Sequence, residues 1–383
     1  MDILVLGAGL MGRAIAFDLA SFSNFKKITV VDKDKTSLES AEKFLKNQKV
    51  DFDNLDVKNL DNVKKFFQRY DVVISAIPYF FNYELSKIAI DTNTHFLDLG
   101  GNNSIVEKQR ALNENAKKNK VLILPDCGLA PGMTSVIARD IVDSLDSVDY
   151  IKIRVGGLPL DPVPPFNYQI VFSPNGLINE YVEDALVLDH GQIIAKKSMT
   201  ELETVEFPYP FGKMEAFLTS GGCSTMPYTF REKVDYLDYK TVRYPGHCQM
   251  FKPLLDLGLA SEKPININGK QIRPRDVFIK LLWDNFPVNG KDVVLVKVSG
   301  RGVKNMERID LVYSIIDYFD EENNMTSMMR TTGYPVSIIA QMIEKDLIKE
   351  HGVFCCEENI PCKPFFEELE KRNICINKKI NYG

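Results

Sequence analysis

The sequence lacks an apolar run long enough to cross a membrane, and it lacks an excess of positive charge. No stretch of its 383 residues approaches the roughly 18 apolar residues that a membrane span needs, and the apolar run at the N-terminus is too short and too glycine-broken for a signal peptide. A formal net charge of −5 at pH 7 disfavours nucleic acid or an anionic membrane as the main partner. Seven scattered cysteines do not suggest a disulfide framework. We therefore expect a cytoplasmic protein that binds neither nucleic acid nor membrane.

What is present is the composition of an ordinary globular protein, with 45% hydrophobic and 26% charged residues, and a length that predicts two domains. Apolar strands alternate with helical segments as far as residue 125, which predicts an α/β fold with a Rossmann-type, doubly wound parallel sheet. Beyond Tyr150 strands dominate, including a run at 167–172 and a long hairpin at 293–319, so we predict a second, α+β domain built on a mixed sheet. The predicted division is a nucleotide-binding domain at 1–129 completed by a helix at 332–349, a substrate and dimerisation domain at 130–330, and a C-terminal tail at 350–383.

A glycine pattern follows the first predicted strand. Gly7, Gly9 and Gly12 form G-x-G-x-x-G between the apolar run Ile3–Leu6 and a helical segment. In this context the glycines permit a tight turn, let a diphosphate approach the backbone and let the helix pack on the strand. A second strand ends at Asp32, 20 residues after Gly12, where a carboxylate accepts hydrogen bonds from ribose hydroxyls and repels a 2′-phosphate. The pattern predicts NAD as the cofactor, with NADP less favoured.

Ligands of such sheets bind beyond the carboxyl ends of the strands. The predicted cofactor contacts therefore include the glycine loop and the ends of later strands: Gly7, Gly9, Leu10, Met11, Gly12, Asp32, Ala76, Ile77, Pro78 and Gly100.

Several polar, glycine-rich sequence clusters in the rest of the chain are similar to those of a known protein family. The clusters are Gly128–Met133, Arg154–Pro159, 167–181, Glu215–Thr225 and Lys240–His247. Together with the glycine pattern, they resemble the saccharopine dehydrogenase-like family of amino-acid oxidoreductases over nearly the full length. Within that family the similarity is greatest to the L-lysine 6-dehydrogenases. The resemblance implies oxidative deamination of L-lysine at C6 to 2-aminoadipate 6-semialdehyde, with NAD, by a homodimer or a higher homo-oligomer.

Two positions distinguish this chain from the saccharopine reductases of the family. Those relatives have an acid at the position of Ala130 and a cysteine at the position of Val155. Since both positions contact the larger substrate there, the resemblance implies a smaller substrate here. The runner-up interpretation is a saccharopine or carboxynorspermidine reductase or dehydrogenase, which acts on a secondary amine.

Amine oxidation requires a cation for the substrate's α-carboxylate and a base for its ammonium group. We predict Arg243 as the carboxylate-binding residue, with Thr241 two residues away on the same strand face. The resemblance supports this Thr-x-Arg pair as a substrate-binding element. Tyr168 is predicted to orient the substrate or the base, and its alternative is a position in the core.

Three residues are predicted as catalytic. His247 has an ordinary pKa that suits a base near neutrality, although a lone histidine is often structural. Glu180 either anchors the substrate ammonium or acts as the base, and its alternative is a surface position. Asp126 ends a strand beside the cofactor, where it acts as a second base or caps the helix that follows.

Three other functions stay open at this point. A cysteine-dependent semialdehyde dehydrogenase would use Cys223 or Cys127 as its nucleophile. A nucleotide sensor would keep the fold without turnover. The residues available for a metal site near the C-terminus are His351, Cys355, Cys356, Cys362 and Cys375. Because their spacings are not those of C-x-x-C pairs, we predict buried thiols and no metal.

Overall fold

The chain folds around two large β-sheets, one parallel and one mixed. The computed structural model describes residues 1–46, 48–171, 173–287 and 290–382. Within these residues the strands are β1 (Asp2–Leu6), β2 (Lys27–Asp32), β3 (Asp51–Asn54), β4 (Val72–Ser75), β5 (His95–Asp98), β6 (Leu122–Leu124), β7 (Ser147–Pro159), β8 (Ala185–Asp189), β9 (Gln192–Lys196), β10 (Glu203–Phe207), β11 (Gly212–Leu218), β12 (Val234–Arg243), β13 (Ile265–Ile267), β14 (Lys270–Ile272), β15 (Asp292–Lys304), β16 (Glu307–Tyr318), β17 (Gly352–Val353) and β18 (Asn377–Tyr382).

The helices alternate with these strands in the first part of the chain and are sparser afterwards. They are α1 (Leu10–Phe22), α2 (Lys35–Phe44), α3 (Leu60–Phe67), α4 (Asn82–Thr92), α5 (Asn103–Arg110), α6 (Asn113–Lys118), α7 (Met133–Ser144), α8 (Pro174–Val182), α9 (Met226–Phe230), α10 (His247–Asp256), α11 (Pro274–Asn285), α12 (Ser327–Glu344), α13 (Cys356–Asn359) and α14 (Cys362–Lys371). Within the described residues, no helix combines the length and the apolar character needed to traverse a bilayer.

The first compact unit contains residues 1–143, 224–229 and 329–375. Its sheet has the order β17-β6-β5-β4-β1-β2-β3, and every neighbouring pair is parallel. Strands β1 to β6 thus follow the order 3-2-1-4-5-6 of a doubly wound dinucleotide-binding fold. Residues Ile3–Leu6 are all 0% exposed, as expected for a central strand covered on both faces. The predicted Rossmann sheet is confirmed.

The second compact unit contains residues 144–223, 230–328 and the chain from Ile376 onward. Its main sheet has the order β10-β11-β12-β7-β15-β16-β18, with β8 pairing with β12 and β9. Strands β12 and β7 are parallel and their other neighbours are antiparallel. The predicted mixed sheet is confirmed, and the predicted hairpin at 293–319 corresponds to β15 and β16.

The units differ in their bounds from the predicted division at residues 129 and 130. Helix α7, except for its last residue Ser144, belongs to the first unit, and so does the short segment Ser224–Thr229 in the middle of the chain. Residues 350–383 were predicted as a tail, but β17 pairs with β6 and β18 pairs with β16. These pairings join residues distant in sequence, so no local pattern marks them.

The strand predicted at 167–172 is wrong, as far as its residues are described. Residues 164–167 form a turn, in which the Asn167 N–H donates to the Val163 carbonyl at 3.0 Å. Asn167 also has a φ of 49°, in the left-handed region, which cannot continue a strand. Phe172, the last residue of the prediction, lies outside the described residues.

A buried ion pair fastens the C-terminal segment of the first unit to α1. The Arg372 guanidinium donates to the Asp18 carboxylate from Nε (2.5 Å) and Nη2 (3.1 Å). Its other N–H groups donate to the Gln341 side chain and to the carboxylate and carbonyl of Glu368. All five arginine donors therefore have acceptors, and Ser337 also donates to Asp18.

Candidate functional site

The glycine loop of the first unit connects β1 to α1. On one side of this loop, Gly7 and Gly12 are in close contact with neighbouring backbone atoms. Gly7 has a φ of 104°, and a Cβ on it would lie 2.7 Å from the Ala76 carbonyl oxygen. A Cβ on Gly12 would lie 1.8 Å from the Gly7 carbonyl oxygen. Side chains at these two positions would therefore force the loop apart, which explains both glycines.

The other side of the same loop is open. A Cβ on Gly9 would meet no atom within 4 Å, and Gly9 is the N-cap of α1 without a side chain that caps it. The first amides of α1 are thus available, and the helix N-terminus carries a partial positive charge. Leu10 is 45% exposed and Met11 half-buried at this end. The loop therefore fits a diphosphate held by backbone N–H groups.

Asp32 ends β2 with its carboxylate held in place. The Ala8 N–H donates to Oδ2 and the Asp34 N–H donates to Oδ1, both at 2.9 Å. The side chain stays half-buried, and each carboxylate oxygen keeps a lone pair for a further donor. A ribose hydroxyl beside the glycine loop would find a fixed acceptor here.

The other predicted cofactor contacts lie at the carboxyl ends of neighbouring strands. Ala76 and Ile77 follow β4 and pack against Gly7, with the exposed Pro78 after them. Gly100 follows β5 with a φ of 74°, and a Cβ there would lie 1.8 Å from Asp126 Oδ1. The fold thus brings these four residues to the same edge of the sheet as the glycine loop.

Asp126 lies at this edge as a buried acid. Its carboxylate accepts a hydrogen bond from the Ser224 hydroxyl, and both residues have positive φ values, 63° and 41°. Burial, together with the nearby Asp98 and Glu357, raises the pKa of Asp126 to about 7, and burial raises the pKa of Asp98 to about 6. Within the described residues, no amide of α7 donates to Asp126, so the predicted alternative of a helix cap is not observed.

Strand β12 of the second unit presents two different faces. Its residue Val242 packs in an apolar cluster with Leu158 and Leu295, and Lys240 donates to Glu203. The opposite face carries Thr241 and Arg243, as the two-residue period of a strand requires. The Thr241 hydroxyl is paired with that of Thr219 at 2.7 Å.

Arg243 is a buried cation, and several of its guanidinium N–H groups have no acceptor among the described residues. The residue is 3% exposed, and its guanidinium carbon lies 4.9 Å from the centre of the Tyr168 ring. Its Nε donates to the Tyr181 hydroxyl at 2.9 Å and its Nη1 to the Val242 carbonyl at 3.0 Å. Among the described residues no group accepts from the other three N–H bonds. Because no carboxylate of the described chain binds it, Arg243 fits an anionic ligand group.

Tyr168 itself is 2% exposed and belongs to the aromatic cluster of this unit. It therefore combines the two predicted alternatives, since it is a core residue whose ring face supports the guanidinium.

His247 corrects the prediction of a histidine base. Its Nδ1 lies 3.0 Å from the Phe166 carbonyl and its Nε2 lies 3.1 Å from the Tyr181 hydroxyl. The carbonyl can only accept, so Nδ1 donates to it and Nε2 accepts from Tyr181. Burial and the charge of Arg243 lower the pKa of His247 to about 3. This neutral histidine therefore orients Tyr181, which in turn accepts from Arg243.

Glu180 lies in the last turn of α8, next to Tyr181. The side chain is half-buried, and among the described residues no group donates a hydrogen bond to its carboxylate. Burial raises the pKa of Glu180 to about 7, opposed by Arg243 and helped by Glu183. A carboxyl group with this pKa accepts a proton more readily than an ordinary glutamate does.

The sequence analysis missed three residues of this site. Tyr181 links Arg243 to His247, and Glu215 accepts from the Gly246 and Cys248 amides and so fixes the start of α10. Tyr239 shares the β12 face with Thr241 and Arg243. Only Tyr239 had a readable signal, because the same two-residue alternation that paired Thr241 with Arg243 extends to it.

The two predicted alternatives based on cysteine and metal find little support in the described residues. Cys127 is fully buried, and burial and the adjacent Cys356 thiol raise its pKa well above the usual range. Cys223 is 5% exposed. Both thiols are therefore poorly accessible to a substrate. In the part of the chain that the structure describes, no group of three His, Cys, Asp or Glu side chains is arranged to hold a metal ion.

Comparisons with known proteins agree with these features. A family model described as the saccharopine dehydrogenase NADP binding domain matches residues 3–124, and one described as the saccharopine dehydrogenase C-terminal domain matches residues 128–374. The chain is 26% identical over 273 residues to a saccharopine dehydrogenase [NADP(+), L-glutamate-forming] of Pyricularia oryzae, covering 68% of this chain and 58% of that protein. It is 24% identical over 279 residues to the Saccharomyces cerevisiae protein of the same description, covering 71% and 61%.

These alignments thus span about three fifths of each relative's length. The fold is also similar to the apo structure of saccharopine dehydrogenase (L-Glu forming) from Saccharomyces cerevisiae, with a TM-score of 0.81, 21% identity and 99% coverage of both chains.

Proposed function

Because this chain belongs to the saccharopine dehydrogenase family, we propose that it is an NAD-dependent dehydrogenase that oxidises the primary amine of L-lysine at C6. The product would be 2-aminoadipate 6-semialdehyde. One observation carries the proposal: the carboxylate of Glu180, to which no described group donates, lies within electrostatic reach of Arg243, which keeps N–H groups without an acceptor among the described residues. An amino acid that carries a side-chain amine can bind Arg243 with its α-carboxylate and Glu180 with its side-chain ammonium group.

In this proposal each residue has a defined task. Arg243 binds the α-carboxylate with its free N–H groups and is held in place by Tyr181 and His247. Glu180 takes a proton from the ε-ammonium, so that the nitrogen lone pair can form the C=N bond as the C6–H bond breaks. When bound, the nicotinamide accepts the hydride. Water then adds to the imine carbon, with a carboxylate as base, and ammonia leaves.

A second candidate is oxidation of a secondary amine of the saccharopine type. The similarity of this chain to saccharopine dehydrogenases favours this candidate. Ala130 and Val155 stand where saccharopine reductases carry an acid and a cysteine, which favours the smaller primary amine.

One screen tests the proposed reaction. Absorbance at the reduced-nicotinamide band is followed with L-lysine, other amino acids and saccharopine, each with NAD⁺ or NADP⁺, and with keto acid plus amine pairs and the reduced cofactors. Reduction of NAD⁺ by lysine supports the proposal. Activity only in the reductive direction, with a keto acid and an amine, overturns it.

The cofactor preference is tested at Asp32. The family model and the relatives bear NADP in their names, whereas the carboxylate of Asp32 supports NAD. We expect Asp32→Ser to shift the ratio of kcat/KM values for NAD⁺ and NADP⁺ about tenfold or more toward NADP⁺, because the repulsion of the 2′-phosphate is removed. The control is Asp34→Ser, which removes a nearby charge but keeps an N-cap for α2, and should leave the ratio unchanged. A ratio unmoved by Asp32→Ser would contradict the assignment.

The base is tested by a pH profile. A carboxyl group with a pKa of about 7 must be ionised to accept a proton, so kcat/KM for lysine should rise with pH through about 7. Glu180→Gln should lower kcat/KM roughly 10²- to 10⁴-fold and abolish that inflection. Glu183→Gln is the matched control: it should keep the inflection and move it to lower pH, since Glu183 raises the pKa of Glu180. An unchanged profile in Glu180→Gln assigns the base elsewhere.

A further inference from the structure

Asp98, the last residue of β5, has no task in the steps described so far. The residue is 0% exposed, and among the described residues no lysine, arginine or histidine forms an ion pair with its carboxylate. A buried carboxylate remains charged only where N–H or O–H donors replace the water that it has lost. Burial raises the pKa of Asp98 to about 6, so the group is ionised well above that pH. The charge therefore depends on the donors that surround it.

The carboxylate of Asp98 binds the backbone of two loops at the edge of the sheet. Its Oδ1 accepts from the Gly100 N–H at 2.8 Å and from the Asp126 N–H at 3.4 Å. Gly100 belongs to the loop after β5, and Asp126 belongs to the loop after β6. The main-chain carbonyl of Asp98 also accepts from the Cys127 N–H at 2.8 Å. One buried residue thus fixes the beginning of both loops.

Both loops adopt a backbone conformation that needs such support. Gly100 has a φ of 74° and Asp126 has a φ of 63°. For a residue other than glycine the left-handed region is strained, and it persists only where neighbouring contacts impose it. The loops also pack on each other, since a Cβ on Gly100 would lie 1.8 Å from Asp126 Oδ1. We therefore expect both loops to relax together if their shared acceptor is lost.

The second oxygen of the carboxylate is held by a buried polar network. Asp98 Oδ2 accepts from the Gln109 amide at 2.7 Å, and the same amide donates to the Ser86 hydroxyl at 3.0 Å. Ser86 donates to the Asn82 carbonyl, and the Asn82 side chain accepts from the Ser75 hydroxyl at the end of β4. All five residues are 0% or 1% exposed. The network therefore connects the carboxyl ends of β4 and β5 with the loop after β6.

These strand ends form one half of the expected dinucleotide site. A doubly wound sheet with this strand order consists of two mononucleotide-binding halves. The glycine loop and Asp32 belong to the half that contains β1 and β2, where the adenosine part is expected. The loops after β5 and β6 belong to the other half, where the nicotinamide part is expected.

We propose that Asp98 is a positioning residue for the nicotinamide half of the dinucleotide, and that it acts by holding the loops after β5 and β6 through their amides. Because its side chain is enclosed, it does so without touching the ligand. The inference rests on the proposed function only for the binding of the dinucleotide, and it does not depend on which amino acid is oxidised.

The test compares the binding of NADH with that of ADP, both measured by calorimetry. ADP carries the adenosine half and the diphosphate but no nicotinamide nucleotide. Asp98→Ala should weaken NADH binding about ten- to hundredfold, because buried N–H groups lose their acceptor. ADP binding should change by no more than about twofold. A general loss of stability would not separate the two ligands in this way.

Asp98→Asn is the conservative variant and should bind NADH nearly as the native protein does. Its side-chain oxygen can accept from both loop amides. Gln109 Oε1 is buried and has no hydrogen-bond partner among the described residues. Once the Gln109 amide turns over, this oxygen can accept from the new NH₂ group.

The matched control is Asp292→Ala in the second unit. Asp292 is also 0% exposed, and its carboxylate accepts from the Ser327 N–H at 2.6 Å and from the Met328 N–H at 2.9 Å. Burial raises the pKa of Asp292 to about 6 as well. Loss of this acid should lower thermal stability as Asp98→Ala does, while NADH and ADP bind as before. Asp98→Leu, which keeps side-chain volume, replaces the alanine variant if that chain does not fold.

Unchanged NADH binding in Asp98→Ala or Asp98→Leu overturns the inference, and so does an equal loss of NADH and ADP binding. An asparagine variant as weak as the alanine variant also overturns it, since the acceptor would then be present without its effect. If NADH binding shifts as expected while no amino acid reduces NAD⁺, the proposed reaction fails and the role of Asp98 stands.

Discussion

An Arg243→Lys protein is expected to lose roughly 10³-fold in kcat/KM for its amino-acid substrate while it binds the dinucleotide as before. Lysine keeps the charge but lacks the planar fork that holds a carboxylate with two hydrogen bonds. It also cannot donate to Tyr181 in the geometry that Nε provides. The loss should appear mainly as a higher KM, because the carboxylate is bound alike in the ground state and the transition state.

The control for this variant is Arg154→Lys. Arg154 is a second buried arginine of the same sheet, on β7, and its guanidinium is already paired with Asp238 and Glu203. That substitution should lower thermal stability and leave KM for the amino acid unchanged. Steady-state kinetics of both variants, with dinucleotide binding measured by fluorescence titration, separate the two roles. If the Arg243→Lys protein kept the native KM for the amino acid, Arg243 would not be a substrate-binding residue.

The second large effect is expected on stability. Arg372→Met should lower the free energy of unfolding by about 3–5 kcal/mol, the usual cost when one partner of a buried ion pair is removed. The Asp18 carboxylate would remain in the core with only the Ser337 hydroxyl and the Gln341 amide as donors. Urea unfolding of the whole chain, monitored by circular dichroism, measures the change.

Two companion variants show whether the buried charge is the cause. Asp18→Leu in the Arg372→Met background should recover much of the loss, since no unpaired charge is left. Arg301→Met removes an exposed arginine that is paired with Asp310 and should leave the unfolding curve nearly unchanged. A double variant that is less stable than Arg372→Met would show that packing, and not the charge, dominates at this position.

The parts of this molecule that were predictable from sequence are those encoded locally. Gly7, Gly9 and Gly12 lie within six residues of one another, and their spacing has one physical explanation, so the nucleotide-binding sheet followed directly. The strand alternation that placed Thr241 beside Arg243 is equally local. Each of these two predictions depended on a sequence pattern that lies within a single strand or within one strand, its turn and the start of the next helix.

The site residues that were misjudged depend on burial and on distant partners. His247 was predicted as a base from its ordinary pKa, but its ring is buried and bound to the carbonyl of Phe166, 81 residues earlier. The apolar run after Asn167 looked like a strand, yet Tyr168 packs in an aromatic cluster instead. Glu180 was predicted as base or anchor and this stays a prediction; what the sequence did not reveal is its raised pKa, which arises from burial.

The parallel sheet of the first unit has a consequence for synthesis of the chain on the ribosome. Strand β6 is complete once residue 124 has been made, but its outer neighbour β17 comprises Gly352–Val353. More than two hundred intervening residues, including most of the second unit, must emerge before that pairing can form. During this interval the nascent sheet exposes an unpaired strand edge, the kind of surface that associates with other chains. The edge of this sheet is therefore closed long after its dinucleotide-binding loop has been synthesised.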